Sequence, residues 1–404
     1  MNIVLFPSLY LPKQSGVPLL TQGLANAYVA KGHRVVIVTP KLDRAHPSFE
    51  IINGILVHRM SFVHPWHILR RGSREGLLRS CVQSPIDFLR LVRLMDQREV
   101  TVVNIHSLAG PHVSFLLFAL LFTRRHLVVS LHADKLLVSR GLRRFVLRSA
   151  LRRAERVTAI STRVAAEAAQ FCPEASNKII KIPNGVPVDE FGGRACVAFP
   201  SRYILSLARL HPLKGHDVLL AAFQKVAERE KDVHLIIAGD GSQRARLRAV
   251  TLALNLTGRV TFLGEVGREN VKDLLAGCEL LVLSSWAEGM PLAALEAMAS
   301  GKAVIGTDVG ALSEIVSDSE TGLLVPPGDP QSLADAILSL LWNSDRRKAM
   351  GEKGRDFVKA RHDFSEIADR YLDVYQKALQ DGMRRSRNAS RAIGRPGKHE
   401  GGPQ

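Results

Sequence analysis

The sequence predicts an α/β protein built as two parallel, doubly wound sheets in tandem with a cleft between them. Three observations carry this prediction. Each half opens as strand, loop, helix and strand; short apolar runs then recur between helical stretches; and 404 residues exceed the usual span of one domain.

The first half starts with the strand "NIVLF", the polar loop "PSLYLPKQSG", the helix "VPLLTQGLANAYVAKG" and the strand "RVVIVTP". Further strands are expected at "VTVVNIH", "HLVVSLH", "RVTAIS" and "KIIKIP". The run "VSFLLFALLF" is too short to cross a bilayer and reads as a buried helix. The second half repeats the plan with "RYILSLA", the helix "HDVLLAAFQKVAER", and the strands "VHLIIAG", "RVTFLG", "LLVLSS", "AVIGT" and "GLLVP". These patterns divide the chain into a first domain at 1–190, a second at 191–361, a helix at 362–380 packing back towards the first domain, and a disordered basic tail at 381–404. Ligands of such sheets bind at the carboxyl ends of the strands.

The formal net charge is +17 and it is unevenly spread. Residues 1–196 carry 27 Lys and Arg against 12 Asp and Glu, whereas residues 197–380 carry 22 against 24. A basic first half suits an anionic partner. The segment "SRGLRRFVLRSALRRAER" places Arg140, Arg144, Arg148, Arg152 and Arg156 at every fourth residue, a basic helical stripe able to meet an anionic membrane. "HILRRGSREGLLRS" offers a second basic amphipathic segment. A solvated face is the plainer reading of both. Nucleic acid is not expected, because aromatics are only 6% and no recognition motif occurs. Cys81, Cys172, Cys196 and Cys278 lack metal-ligand spacing and read as buried thiols in a reducing compartment. The opening "MNIVLFPSLY" reads as a strand, not a signal peptide, so a cytoplasmic location is expected.

The stretch "SSWAEGMPLAALEAMASG" carries the most chemistry. Glu288 follows an apolar strand, and Pro291 sits where a helix would begin. The N–H groups of Leu292, Ala293 and Ala294 would then be free to bind phosphate. Glu296 lies in the second turn. A carboxylate on each side of a phosphate-binding helix start suits a sugar–diphosphate–ribose ligand. The plainer alternative makes Glu288 a cap and Glu296 a core carboxylate with an ion-pair partner. "SLARLHPLKGHD" adds Arg209 and Lys214 after a strand, cations able to neutralise a diphosphate leaving group. "IIAGDGSQ" puts Gly239 where a backbone can approach a ligand closely, though without the third glycine of a dinucleotide fingerprint.

Together these motifs resemble the retaining glycosyltransferases of the GT-B fold, family 4. "EGMPLAALE" is similar to that family's pair of glutamates eight residues apart, and "GHRVVIVTP", "IPNGV", "RLHPLKG", "AGDG", "VTFLGEV" and "VGALSEIVSDSETGLLVPPGD" follow in the family's order. The resemblance implies that Glu288 holds the donor sugar's hydroxyls, Glu296 holds the ribose, and Arg209 and Lys214 clamp the diphosphate. It implies further that His132 stands near the transferring sugar, Gly16 belongs to a loop closing over the phosphates, and the backbone at Val266 meets the base. Gly289, Met290, Pro291 and Leu292 complete the donor site by the same resemblance. The pattern departs from the family at Ser15-Gly16, where two glycines are usual, and at Ala133 and Ala311.

The expected activity is retaining transfer of a sugar from a nucleotide-diphosphate donor to a glycan or lipid-linked acceptor hydroxyl, in polysaccharide or glycolipid synthesis. The donor is expected on the second domain and the acceptor on the first. No cofactor beyond the donor substrate is implied, and with no D-x-D triplet no metal is expected. The alternative is a nucleotide-sugar epimerase of the same architecture.

Overall fold

The computed structural model describes residues 1–12, 16–41, 46–60, 86–87, 89–108, 125–132, 136–193 and 202–393, without the side chains of 142 and 383–393. "VSFLLFALLF", "HILRRGSREGLLRS", Ser15, Ala133, Cys81 and Cys196 lie outside the described residues.

Two α/β domains are present, as the alternation of strands and helices predicts. The first sheet has the order β3-β4-β2-β1-β5-β6-β7-β8. These strands are β1 (Asn2–Pro7), β2 (Arg34–Pro40), β3 (Phe49–Ile52), β4 (Ile55–Met60), β5 (Val102–His106), β6 (His126–Leu131), β7 (Arg156–Ala159) and β8 (Ile179–Lys181). All pair in parallel except β3 with β4, whose hairpin turns at Asn53-Gly54 with positive φ at both residues. The strands β1, β5 and β6 are buried almost throughout, as sheets covered on both faces must be.

The second sheet is wholly parallel, in the order β11-β10-β9-β12-β13-β14. Its members are β9 (Tyr203–Leu207), β10 (His234–Ala238), β11 (Val260–Gly264), β12 (Leu281–Leu283), β13 (Val304–Thr307) and β14 (Gly322–Val325). Strand order reverses between β1 and β5 in one sheet and between β9 and β12 in the other. At such a switch point the connections leave on opposite faces and open a crevice at the strands' carboxyl ends.

The chain crosses back to the first domain at residues 362–364. Val186 N–H donates to the His362 carbonyl (2.8 Å) and Phe364 N–H to the Val186 carbonyl (3.2 Å). The helix Phe364–Ile393 then buries Ile367, Tyr371, Tyr375 and Ala378, spaced three and four residues apart, on the first domain. Its polar tips are satisfied: the Tyr375 hydroxyl lies 3.1 Å from that of Tyr28 and accepts from Asn104 Nδ2 at 2.6 Å. This helix runs to Ile393, so the loss of structure expected from residue 381 does not begin there. Asp381 pairs with Arg156 and the backbone at Gly382 lies close against the His126 ring, so tertiary contacts carry the helix past residue 380.

The basic stripe also needs correction. Arg140 is the N-cap of the helix Gly141–Arg153, and Arg156 belongs to β7, where it pairs with Asp381. On the helix, Arg148 and Arg152 both bind Glu174, and Arg144 lies over the Phe171 ring at 4.9 Å. Much of the stripe is therefore spent inside the domain. Cys172 and Cys278 are buried free thiols, and burial pushes the Cys278 thiol up to about 12. No helix among the described residues is long and apolar enough to cross a membrane.

Candidate active site

An interdomain cleft of about 670 Å³ lies at the carboxyl ends of both sheets. Its lining includes each residue that the family resemblance implied for the site, namely Gly16, His132, Arg209, Lys214, Val266, Glu288, Gly289, Met290, Pro291, Leu292 and Glu296, and Gly239 with them; Ala294 is not among the lining residues. The topology explains the convergence. The loop carrying Arg209 and Lys214 leaves β9, and the segment carrying Glu288 leaves the neighbouring β12. Gly239 follows β10, and Val266 follows β11. Across the cleft, His132 follows β6.

Lys214 and Glu288 are bonded to each other, with Nζ 2.6 Å from Oε1. Ser285 Oγ donates to the same oxygen at 2.6 Å. Three bonds stitch the segment around them: Trp286 N–H to the Leu213 carbonyl (2.8 Å), Ser284 Oγ to the Lys214 carbonyl (3.1 Å), and Thr307 Oγ1 to the Ser285 carbonyl (2.5 Å). Gly215 makes the approach feasible. Its φ is +62°, and a Cβ there would stand 2.0 Å from the Ser284 carbonyl oxygen. Arg209 is exposed and forms no ion pair among the described residues, so its guanidinium is available to an anion.

The helix Leu292–Ala299 begins as the proline predicts, but with Pro291 as its N-cap rather than its first residue. Ala294 N–H donates to the Pro291 carbonyl (3.2 Å), so the amides left at this helix start are those of Leu292 and Ala293. A Cβ on Gly16 would stand 3.9 Å from Leu292 Cδ1, so the start of the first domain's helix Gly16–Ala30 faces this terminus. Met290 is held by Asn184, whose backbone N–H meets Sδ and whose Nδ2 donates to the carbonyl, both at 3.1 Å.

Glu296 is buried, and desolvation raises its pKa while the neighbouring Arg268 opposes the rise. Arg268 Nη1 lies 3.0 Å from Glu296 Oε1. Arg268 lines the cleft too, yet nothing in the sequence pointed to it: it opens a polar helix 28 residues upstream, and only the fold brings it to Glu296. Asn184 lies within "IPNGV", where the sequence alone gives it no role. His106 was also missed. It ends β5 beside β6, and its Nδ1 lies 3.2 Å from His132 Nε2, with the rings stacked at 5.4 Å. Burial, and then His132, hold the His106 pKa well below the usual imidazole range, so it is neutral near pH 7. Among the described residues no cluster of three His, Cys, Asp or Glu is placed to hold a metal.

Residues 199–357 match the family model of glycosyl transferases group 1, and residues 15–190 that of glycosyltransferase family 4. The chain is 24% identical to N-acetyl-alpha-D-glucosaminyl L-malate synthase of Bacillus anthracis over 387 residues, 92% of this chain and 96% of that protein. It is 29% identical to the phosphatidyl-myo-inositol mannosyltransferase of Mycobacterium leprae over 367 residues, 89% of this chain and 92% of that protein. Among solved structures, sucrose-phosphate synthase of Thermosynechococcus elongatus superposes with a TM-score of 0.74 at 22% identity, covering 94% of this chain and all of that one. Anabaena HepE in complex with UDP gives 0.71 at 20% identity, covering 93% of this chain and all of that one. These likenesses establish the GT-B architecture.

Proposed function

This chain belongs to the GT-B glycosyltransferases of group 1 and family 4, and on that footing we propose that it transfers a sugar from a nucleotide diphosphate to an acceptor hydroxyl with retention of anomeric configuration. The observation that carries the reading is the placement of Glu288 and Glu296 on either side of one helix start, each with a cation, on the wall of an interdomain cleft. In the proposed complex the diphosphate lies at the amides of Leu292 and Ala293, between Arg209 and Lys214. Glu288 accepts hydrogen bonds from the sugar and Glu296 from the ribose. The bond from the anomeric carbon to the diphosphate breaks, and the acceptor oxygen bonds to the same face. The acceptor's proton passes to the departing diphosphate oxygen, so no protein base is needed. The cations stabilise the charge that develops on the leaving group, in place of a metal.

The acceptor is proposed to be a glycan or a lipid-borne hydroxyl. The mannosyltransferase relative, which takes its name from a phosphatidylinositol, supports the lipid. A peripheral position on an anionic membrane is part of this proposal. Exposed Val138 and Phe145, beside Arg140 and Arg143, favour it. No observation favours an epimerase.

The test is product analysis by NMR with EDTA present. Transfer should persist, and the new linkage should keep the donor's anomeric configuration. An inverted product, or activity abolished by EDTA and restored by manganese, would contradict the reading.

A further inference from the structure

Arg268 has a position that local preference does not explain. It is the first residue of the helix Arg268–Gly277, where the dipole favours anions, and the N-cap Gly267 gives it no side-chain cap. What holds it there is tertiary. Its Nη1 lies 3.0 Å from Glu296 Oε1, its Nε lies 3.6 Å from Glu190 Oε2, and its guanidinium sits 5.4 Å over the Phe191 ring. Lys272, one turn on, also reaches Glu190 at 3.0 Å. Glu190 ends the short 3-10 turn Val188–Glu190, at the close of the first domain. One guanidinium therefore joins the buried carboxylate of the donor wall to the segment linking the two domains. Glu296 Oε2 has no hydrogen-bond partner among the described residues, and Glu296 and Arg268 both line the cleft.

We propose that Arg268 is a positioning residue for the donor: it holds the Glu296 carboxylate charged and turned so that Oε2 meets the vicinal hydroxyls of the nucleotide's ribose. This rests on the reading of Glu296 as the ribose ligand. The physical need is plain. A carboxylate taken out of water prefers to be neutral, and a neutral carboxyl is a weaker acceptor for two hydroxyls. The charged groups facing this carboxyl are Arg268 and, beyond it, Glu190 with Lys272. Burial and the Glu190 charge favour the protonated form, and Arg268 opposes both. Without Arg268 the carboxyl takes up its proton at higher pH. The donor site is then lost as pH falls through that raised value.

The experiment measures binding of UDP, GDP and ADP by calorimetry between about pH 5.5 and 8.5, taking whichever nucleotide binds the wild-type protein most tightly. The variants are Arg268→Met, Arg268→Lys and Glu296→Gln, each checked by thermal melt. Wild type should lose less affinity than Arg268→Met as pH falls across this range, because Arg268 opposes the rise in the Glu296 pKa. Arg268→Met should bind roughly tenfold more weakly at neutral pH, and weaken further as pH falls. Arg268→Lys should recover the wild-type pH profile with a loss of about threefold, because a point charge keeps Glu296 ionised but lacks the planar fork. An Arg268→Met variant that binds like wild type, or loses the same factor at every pH, overturns the proposal. Should that variant not fold, Arg268→Lys decides: affinity equal to wild type counts against it. Glu296→Gln separates the two levels. If it binds as wild type does, the ribose reading itself fails; if it weakens while Arg268→Met does not, only the role of Arg268 fails.

Discussion

The Lys214–Glu288 bond sets what the two side chains can do. In the structure the ammonium and Ser285 share one carboxylate oxygen, which fixes the carboxylate and keeps its charge compensated in a buried place. A diphosphate arriving beside Lys214 would compete for the ammonium and free Glu288 to accept from sugar hydroxyls. Glu288→Gln keeps the shape and loses the charge. Each charge-assisted bond to the sugar is worth roughly 1.5–3 kcal/mol, so transfer should fall at least tenfold to a hundredfold. Lys214→Ala should lower kcat by about 10²–10³, the scale for loss of one preorganised donor to developing charge. Steady-state kinetics on folded variants check both; near wild-type turnover in the two would remove these residues from the site. The sequence marked each as a ligand. It could not show that they bond each other across 74 residues, because that contact depends on β9 and β12 being neighbours.

At the scale of elements, the helices were legible where burial imposes a period and illegible where it does not. The buried turns of the helix Phe364–Ile393 are legible through Ile367, Tyr371, Tyr375 and Ala378, whereas its polar extension has the composition of a disordered tail. The helix Gly141–Arg153 shows the converse. Its fourfold arginine spacing was plain, but the partner of Arg148 and Arg152, Glu174, sits in another element and could not be read from the spacing. What remains for a membrane is the start of that helix: Arg140 and Arg143, which form no ion pair among the described residues, with Val138 and Phe145 at 73% and 68% exposure. Apolar side chains ringed by arginine suit an anionic interface, and each basic residue near it contributes about 1 kcal/mol. The protein should co-sediment with phosphatidylserine-containing liposomes at low salt. Replacing Arg140 and Arg143 by Glu with Phe145 by Ser should abolish this, while Arg148→Glu should matter less. Absence of binding at low salt would exclude the membrane as this surface's partner.

At the scale of the molecule, the cleft exists because two sheets present their carboxyl ends to each other and polar contacts hold them there. Glu314 of the second domain accepts from the Thr162 amide (2.8 Å) and pairs with Lys181 (3.1 Å), both in the first. Asn184 grips Met290 between the domains, and its own carbonyl oxygen meets His362 Nδ1 at 2.9 Å, beside the chain crossing. The two-domain plan was visible from alternation alone. The interdomain contacts were not, since each joins residues distant in sequence. On the proposed function, this cleft binds a nucleotide-diphosphate sugar through Glu288, Glu296 and the cations. The most direct test is thermal unfolding of the wild-type protein and Glu296→Gln against a panel of UDP-, GDP- and ADP-sugars. Ligand at a hundredfold excess over Kd adds about 2.7 kcal/mol of stability. One donor should therefore raise the wild-type Tm by several degrees, and the same donor should shift Glu296→Gln far less. A panel in which no nucleotide sugar moves the wild-type Tm, or in which both proteins shift alike, would contradict the account.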